Sequence, residues 1–289
     1  MPDILQEGAP AKINLSLVVR GRRGDGYHEL NSLVAFADCG DMLSAEPADD
    51  LCLDVTGPFA KGLGTDDTNL VLQAISRFDD YLGVKTKAHV TLEKNLPVAS
   101  GIGGGSADAA ATLRLLCRLH GREVEPHALA TLGLCLGADV PVCLDTKPAL
   151  MWGKGELIER LEALPDFWFV LVNPRVAVST AAVFKALNAP DLVEKRAGPA
   201  APQFADLIAL CQWLDAHGND MERAAMMIAP TIFDAATALA ATRDCRLARM
   251  SGSGATCFGI YDDEKAARAA EAALKIVHPD WWVVAAKQL

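Results

Sequence analysis

The stretch NLPVASGIGGGSADAAA, residues 95–111, carries four glycines and runs directly into alanine-rich sequence. It fixes a local order of strand, glycine loop and helix. On its N-terminal side AHVTLEK alternates, Ala88, Val90 and Leu92 opposing His89, Thr91 and Glu93, which is the period of a strand. On its C-terminal side a helix is predicted from about Ser106 to Leu119, with Gly121 just past its end. The start of a helix leaves N–H groups without intrahelical partners and carries partial positive charge. Residues without a Cβ let an anion approach those groups closely. Two readings stand side by side: a phosphate cradle, or a plain tight turn with Ser106 as N-cap. The fingerprint G-x-G-x-x-G is not met, because Ser106 stands at the third glycine. The P-loop G-x-x-x-x-G-K-[ST] is not met either, since WGKGE puts Gly155 where Ser or Thr belongs.

The rest of the pattern mixes strands and helices. APAKINLSLVV alternates, with Ile13, Leu15, Leu17 and Val19 on one face and Lys12, Asn14 and Ser16 on the other. RRGDGYHEL turns at Gly24-Asp25-Gly26 into the strand LNSLVAFADC. NLVLQAISRFDDYLG reads as an amphipathic helix closed by Gly83, and Pro126 opens another that closes near Gly137. Beyond residue 155 the pattern restarts with FWFVLVN, a strand apolar on both faces. Ser179 or Thr180 offers an N-cap to a short helix. The Pro- and Gly-rich APDLVEKRAGPAAPQ reads as an exposed loop, and helical stretches are predicted over 204–217 and 219–240. The segments CRLARMSG, ATCFGIY, DEKAARAAEAALKIV and WWVVAAK then give strand, strand, helix and strand, an order consistent with a split β-α-β sandwich. An α+β protein of two domains is expected, cut as 1–155 and 156–289.

Composition narrows the function. A net charge of -10 disfavours nucleic acid as a partner, because binding its backbone takes a surplus of Lys and Arg. A small anionic ligand remains open to a few placed lysines and backbone amides. Eight cysteines without C-x-x-C spacing, most of them in apolar runs such as LCLGADVPVCL, predict reduced, buried thiols and no zinc site. The N-terminal MPDILQEGAPAK is not a secretory leader, and no apolar run reaches membrane-span length. A cytoplasmic protein is expected.

PVASGIGGGSADAA, Pro97 to Ala110, resembles the P-x-x-x-G-[LI]-G-[GS]-S-[AS] loop of the GHMP kinases, the family of galactokinase, homoserine kinase and mevalonate kinase. PAKINLSL near the N-terminus and MSGSGATCF near the C-terminus resemble that family's other two signatures, in the same order. The resemblance implies an N-terminal domain like ribosomal protein S5 for nucleotide and a C-terminal ferredoxin-like α/β sandwich for substrate. KINLSL, GDGYHEL, LGADVPV and GSGA are most similar to the branch that phosphorylates the 2-hydroxyl of a cytidine diphosphate-linked methylerythritol, in the non-mevalonate isoprenoid pathway.

The same resemblance implies a set of site residues. ATP would lie on Pro97, Gly101, Gly103, Gly104, Gly105 and Ser106, with Asn69 and Lys94 lining the adenine pocket and Mg2+ accompanying the phosphates. No protein metal ligand is assigned beyond Ser106. Lys12 would polarise the attacking hydroxyl and pair with Asp139, the acceptor of its proton. Asn14 and Thr180 would hydrogen-bond the substrate. Tyr27 and His28 would recognise cytosine, with Phe184 sandwiching the base from the other side. Ser253 and Gly254 would close the site. The alternatives are a family member acting on a mevalonate- or homoserine-type alcohol, or a nucleotide-binding relative without catalysis. A monomer or homodimer acting on small molecules, away from membranes, is expected.

Overall fold

Helix boundaries follow local capping chemistry. In the computed structural model, which describes residues 4–193 and 198–289, Asn69 caps α1 (Leu70–Leu82) and Gly83 closes it in the left-handed region at φ 64°. Val71, Ala74, Ile75 and Phe78 form its buried stripe. Helix α2 (Gly104–Leu119) starts two residues before the expected Ser106, with Gly103 as a left-handed cap at φ 66° and no side-chain cap bond. Ser106 therefore lies inside the first turn instead of capping it.

The chain forms two compact units, and each draws on several stretches. The first comprises residues 1–11, 40–98 and 103–146; the second comprises 12–39, 99–102 and 147–289. A single cut at 155 does not reproduce this division, because β1 (Leu5–Asn14) and β3 (His28–Pro47) each contribute to both units. The glycine stretch also changes unit, between Ile102 and Gly103.

In the first unit, Met42–Pro47 of β3 pairs antiparallel with β5 (Ala88–Glu93), which pairs parallel with β4 (Cys52–Thr56). Helices α1, α2, α3 (Pro126–Leu136) and α4 (Val140–Cys143) pack on one another. Small residues let α2 sink deep: Ala107, Asp108, Ala109, Ala110 and Ala111 are all buried. Gly40 of β3 lies so close to β1 that a Cβ there would stand 2.3 Å from the Ala9 carbonyl oxygen.

In the second unit, the first part of β3 pairs with β2 (Val18–Arg22) and with β6 (Ala149–Gly153), and β6 pairs with β7 (Leu157–Arg160). A further sheet has the order β11-β8-β10-β9, built from β8 (Trp168–Asn173), β9 (Leu247–Met250), β10 (Cys257–Tyr261) and β11 (Trp282–Lys287). All its pairings are antiparallel. Helices α5 (Thr180–Leu187), α6 (Leu207–Ala216), α7 (Glu222–Ile228) and α8 (Thr231–Ala240) lie between β8 and β9 in sequence, and α9 (Glu264–Val277) between β10 and β11. That is the β-α-β-β-α-β sandwich anticipated from the sequence order. Gln288 bridges to Ala37, and the Leu289 N–H donates to the Phe36 carbonyl at 3.0 Å.

Several expectations are corrected. The helical stretch 219–240 is broken at Pro230, which lacks an N–H and holds Ala229 extended at ψ 89°. Helix α6 begins at Leu207, not 204, because the Asp206 carboxylate accepts the Ala209 N–H. Lys12, Asn14 and Ser16, placed opposite the apolar face, are themselves buried. Of the eight cysteines only Cys143 and Cys257 are buried, while Cys52 and Cys135 are exposed; all eight are free thiols. Part of the predicted 189–203 loop is ordered against β2: the Arg22 N–H donates to the Pro190 carbonyl and the Leu192 N–H to the Arg22 carbonyl, both at 2.8 Å, around an Arg22–Asp191 ion pair. Residues 194–197 of that loop lie outside the described residues.

Replacing Gly40 with Ala forces backbone apart in the first unit. The expected cost is about 3 kcal/mol, read as a fall in the Tm followed by circular dichroism; an unchanged Tm contradicts the close approach of β1 and β3.

Candidate active site

Gly101, Gly104 and Gly105 of the 101–105 stretch each have their own close neighbour. In the second unit, a Cβ on Gly101 would lie 2.5 Å from the Ser251 carbonyl oxygen and 2.7 Å from the Gly254 nitrogen, and its φ of +77° disfavours any side chain. A Cβ on Gly252 would meet the Gly101 oxygen at 2.8 Å. Backbone thus packs on backbone between residues 101 and 251–254. Ser251 fastens the arrangement: its hydroxyl accepts the Asn14 N–H at 3.0 Å and donates to the Gly101 carbonyl at 2.9 Å. The Thr256 N–H donates to the Ser100 carbonyl, and the Lys12 N–H to the Ile102 carbonyl. All three glycine- and lysine-bearing sequence motifs therefore contribute residues to this one unit.

Lys12 is only 3% exposed, so its burial excludes a plain solvated surface role. The Asn14 amide donates to Ser32 Oγ at 2.7 Å. Thr180 and Ser253 share a hydroxyl–hydroxyl bond of 2.8 Å, and Asn219 holds the last motif by donating to the Met250 and Gly252 carbonyls. Asn219 was invisible to motif reading, although an amide beside a glycine loop is a common clamp.

The expected base-recognition residues also gather in the second unit. Tyr27 is 57% exposed, and the Lys154 ammonium lies 4.7 Å from its ring centroid. Phe184 does not wait opposite an open gap: it lies face to face with His28, centroids 4.3 Å apart and planes 13° from parallel. Burial, followed by repulsion from Arg22, pulls the His28 pKa down. A neutral imidazole offers one donor and one acceptor. Sequence reasoning missed Lys154, whose only signal was a basic residue in the turn of WGKGE.

In the first unit the remaining loop residues sit over buried charge. Lys94 was expected to line a nucleotide pocket, yet its ammonium is buried between Asp41, to which it donates, and Asp108 at 2.6 Å. A Cβ on Gly104 would stand 3.1 Å from that ammonium, and one on Gly105 3.3 Å from Leu70 Cδ1. Gly105 is the exposed member of the turn, and Pro97 is buried before it. Burial lowers the Lys94 pKa, but the charges of Asp108 and Asp41 outweigh it and the net shift is upward. Burial pushes Asp108 up to about 7, opposed by Lys94 and reinforced by Asp41.

Asn69 has a structural duty. Its amide accepts the Val71 N–H at 2.9 Å and donates to the Gly64 carbonyl at 2.7 Å. One amide hydrogen and one lone pair are left for a ligand. Asp139 precedes α4 and makes no side-chain cap bond to it. It is half-buried beside four buried residues, Val140 to Cys143.

Comparison with known proteins decides the family. The GHMP kinases N terminal domain matches residues 69–147 and the GHMP kinases C terminal domain matches 181–280. The chain belongs to the GHMP kinase family. Among its curated relatives, a 4-diphosphocytidyl-2-C-methyl-D-erythritol kinase of Parvibaculum lavamentivorans is 54% identical over 277 residues, 96% of each chain. One of Cereibacter sphaeroides is 50% identical over 283 residues, 96% of this chain and 97% of the relative. A solved 4-(cytidine 5'-diphospho)-2C-methyl-D-erythritol kinase superposes with TM-score 0.77 at 32% identity, covering 98% of this chain and 99% of that one. A homoserine kinase of Cytophaga hutchinsonii shares the fold at TM-score 0.70 and 19% identity, covering 100% and 95%. As a GHMP kinase the protein uses ATP as phosphoryl donor. No helix among the described residues is long and apolar enough to cross a membrane.

The Asp108 shift fixes a pH dependence. A carboxyl whose folded pKa is raised stabilises the folded chain fully below the ordinary carboxylate range, and that contribution is lost as pH rises through about 7. Asp108→Asn, neutral throughout, is expected to raise the Tm by several degrees near pH 8.5 and by much less near pH 5. Thermal unfolding at both pH values checks this; an equal change at both contradicts it.

Proposed function

We propose that this GHMP kinase transfers the γ-phosphoryl group of ATP to the 2-hydroxyl of 4-diphosphocytidyl-2-C-methyl-D-erythritol, in the non-mevalonate route to isoprenoid precursors. What carries the reading is likeness over nearly the whole chain to relatives of that name, in a chain that clusters Tyr27, Lys154, His28 and Phe184 in one unit. A pyrimidine stacks well on such rings, and a neutral His28 suits the mixed donor and acceptor edge of cytosine. A mevalonate- or homoserine-type acceptor has no base to place there.

Phosphoryl transfer asks a protein chiefly for positioning and charge stabilisation. The turn at Gly103–Ser106 opens a helix whose first amides lack intrahelical partners, and these receive the phosphates. Lys12 polarises the attacking hydroxyl, and Asn14 and Thr180 orient the substrate. Asp139 takes the hydroxyl proton. An alcohol is too weak an acid for a carboxylate to deprotonate it beforehand, so the proton passes late, after a loose transition state has stretched the bond to the leaving group. Magnesium bound with ATP would neutralise phosphate charge. Among the described residues no group of three His, Cys, Asp or Glu side chains could hold a metal ion; the Ser106 hydroxyl is the protein group that would hold it. Lys94 supports the nucleotide turn from beneath. A cytoplasmic location follows from the substrates.

Coupled ADP-release assays with the cytidine diphosphate alcohol test the reaction. Asp139→Asn is expected to lower kcat about 10²–10⁴-fold with ATP affinity nearly intact; near-normal turnover removes Asp139 from the proton path. Tyr27→Ala is expected to raise the KM for the alcohol about tenfold, in line with the loss of one stacking face. A change in the ATP KM alone overturns the base assignment.

A further inference from the structure

Asp41 of β3 has both carboxylate oxygens engaged in a buried place. Oδ1 accepts the backbone N–H groups of Asn95 at 2.6 Å and Leu96 at 2.8 Å. Oδ2 accepts from the Lys94 ammonium, which in turn reaches Asp108 of α2 at 2.6 Å. One acid on a strand thereby fixes the first residues of the connection after β5 and, through the ammonium, the opening turns of α2. Gly104 leaves just enough room: its Cβ would lie 3.1 Å from Lys94 Nζ and 3.6 Å from Asp41 Oδ2. Gly103, the cap of α2, has no side chain to orient the turn. The buried Oδ1 of Asp108 accepts no hydrogen bond, so the link from Asp108 to Asp41 runs through Oδ2 and Lys94 alone.

We propose that Asp41 is a positioning residue for ATP, acting through Lys94 and the 95–96 backbone to set the direction of the Gly104–Ser106 amides. The inference rests on reading that turn as the phosphate cradle. Amides stabilise a charged group strongly only when they are preorganised, and a small rotation of the turn weakens them all together. A strand is a rigid base for this, and a lysine held by two carboxylates has surrendered its rotamer freedom. Asp41 touches no substrate in this scheme. Its effect is therefore on nucleotide and not on acceptor alcohol.

The experiment compares Asp41→Ala and Asp41→Asn in the full chain. ATP affinity is measured by titration calorimetry, KM for ATP and for the alcohol by steady-state kinetics, and folding by thermal unfolding. Asp41→Ala is expected to weaken ATP binding about tenfold. Asp41→Asn keeps an acceptor for the Asn95 and Leu96 amides and is expected to weaken it about threefold. KM for the alcohol should stay within about twofold in both, a split that simple loss of folded protein does not produce. The proposal is overturned if folded variants bind ATP like the parent, if both KM values rise together, or if neither variant folds. Should the parent protein fail to phosphorylate the alcohol, the reaction assigned above falls, while calorimetry with ATP still decides the part played by Asp41.

Discussion

Two carboxylates share one ammonium in the interior of the first unit, and the geometry around the nucleotide turn depends on that arrangement. Removing three charges from water is costly, and an ion cluster recovers the cost only when its hydrogen bonds are well directed. Asp41 meets that condition with three donors. Asp108 does not, since one of its oxygens has no partner, and the cluster carries one more negative charge than positive. Burial, reinforced by the Asp41 charge and opposed by Lys94, shifts Asp108 upward. A structure that kept the acid there despite its cost has tied the start of α2 to a strand through a charge, a more directional link than apolar contact provides.

The second unit solves a related problem with neutral groups. Its Ser251 hydroxyl joins β1 to residue 101, and backbone at 101 and 251–254 approaches to distances that tolerate no Cβ. The glycines of the family signatures are thus used for different purposes. Gly101 and Gly252 permit main chains to touch, Gly103 supplies a left-handed helix start, and Gly104 makes room for an ammonium. A glycine-rich motif read only as bare backbone for a ligand misses that division of labour.

Much of this was legible because it is local. Asn69, Ser179 and Gly83 mark helix ends through bonds to residues close in sequence, and the alternation of β5 follows from one covered face. The sandwich of the second unit followed from element order alone. Pro230 and Asp206 were equally local signals whose weight was underestimated against hydrophobic periodicity. The nonlocal features were out of reach. Lys94 and Asp41 are 53 residues apart, and nothing in either neighbourhood announces a buried pair. Alternation in β1 separated Lys12 from the apolar face but did not show that both faces of that strand are covered. The stacking of His28 on Phe184 brought together residues whose separate motifs suggested a ring on either side of a base.

The bridge from Gln288 to Ala37, and the Leu289 bond to Phe36, have a consequence for how the molecule is made. A ribosome delivers the chain in one direction, and the edge of the second unit near residue 37 meets its partner only after about 250 further residues have been translated. Until then the early part of β3 must wait without the segment that finishes it. Such distant closure slows the last stage of assembly, because entropy is lost before the contact is gained. Vectorial synthesis therefore leaves the second unit open at this edge until its final strand emerges, whereas every segment of the first is already available by residue 146.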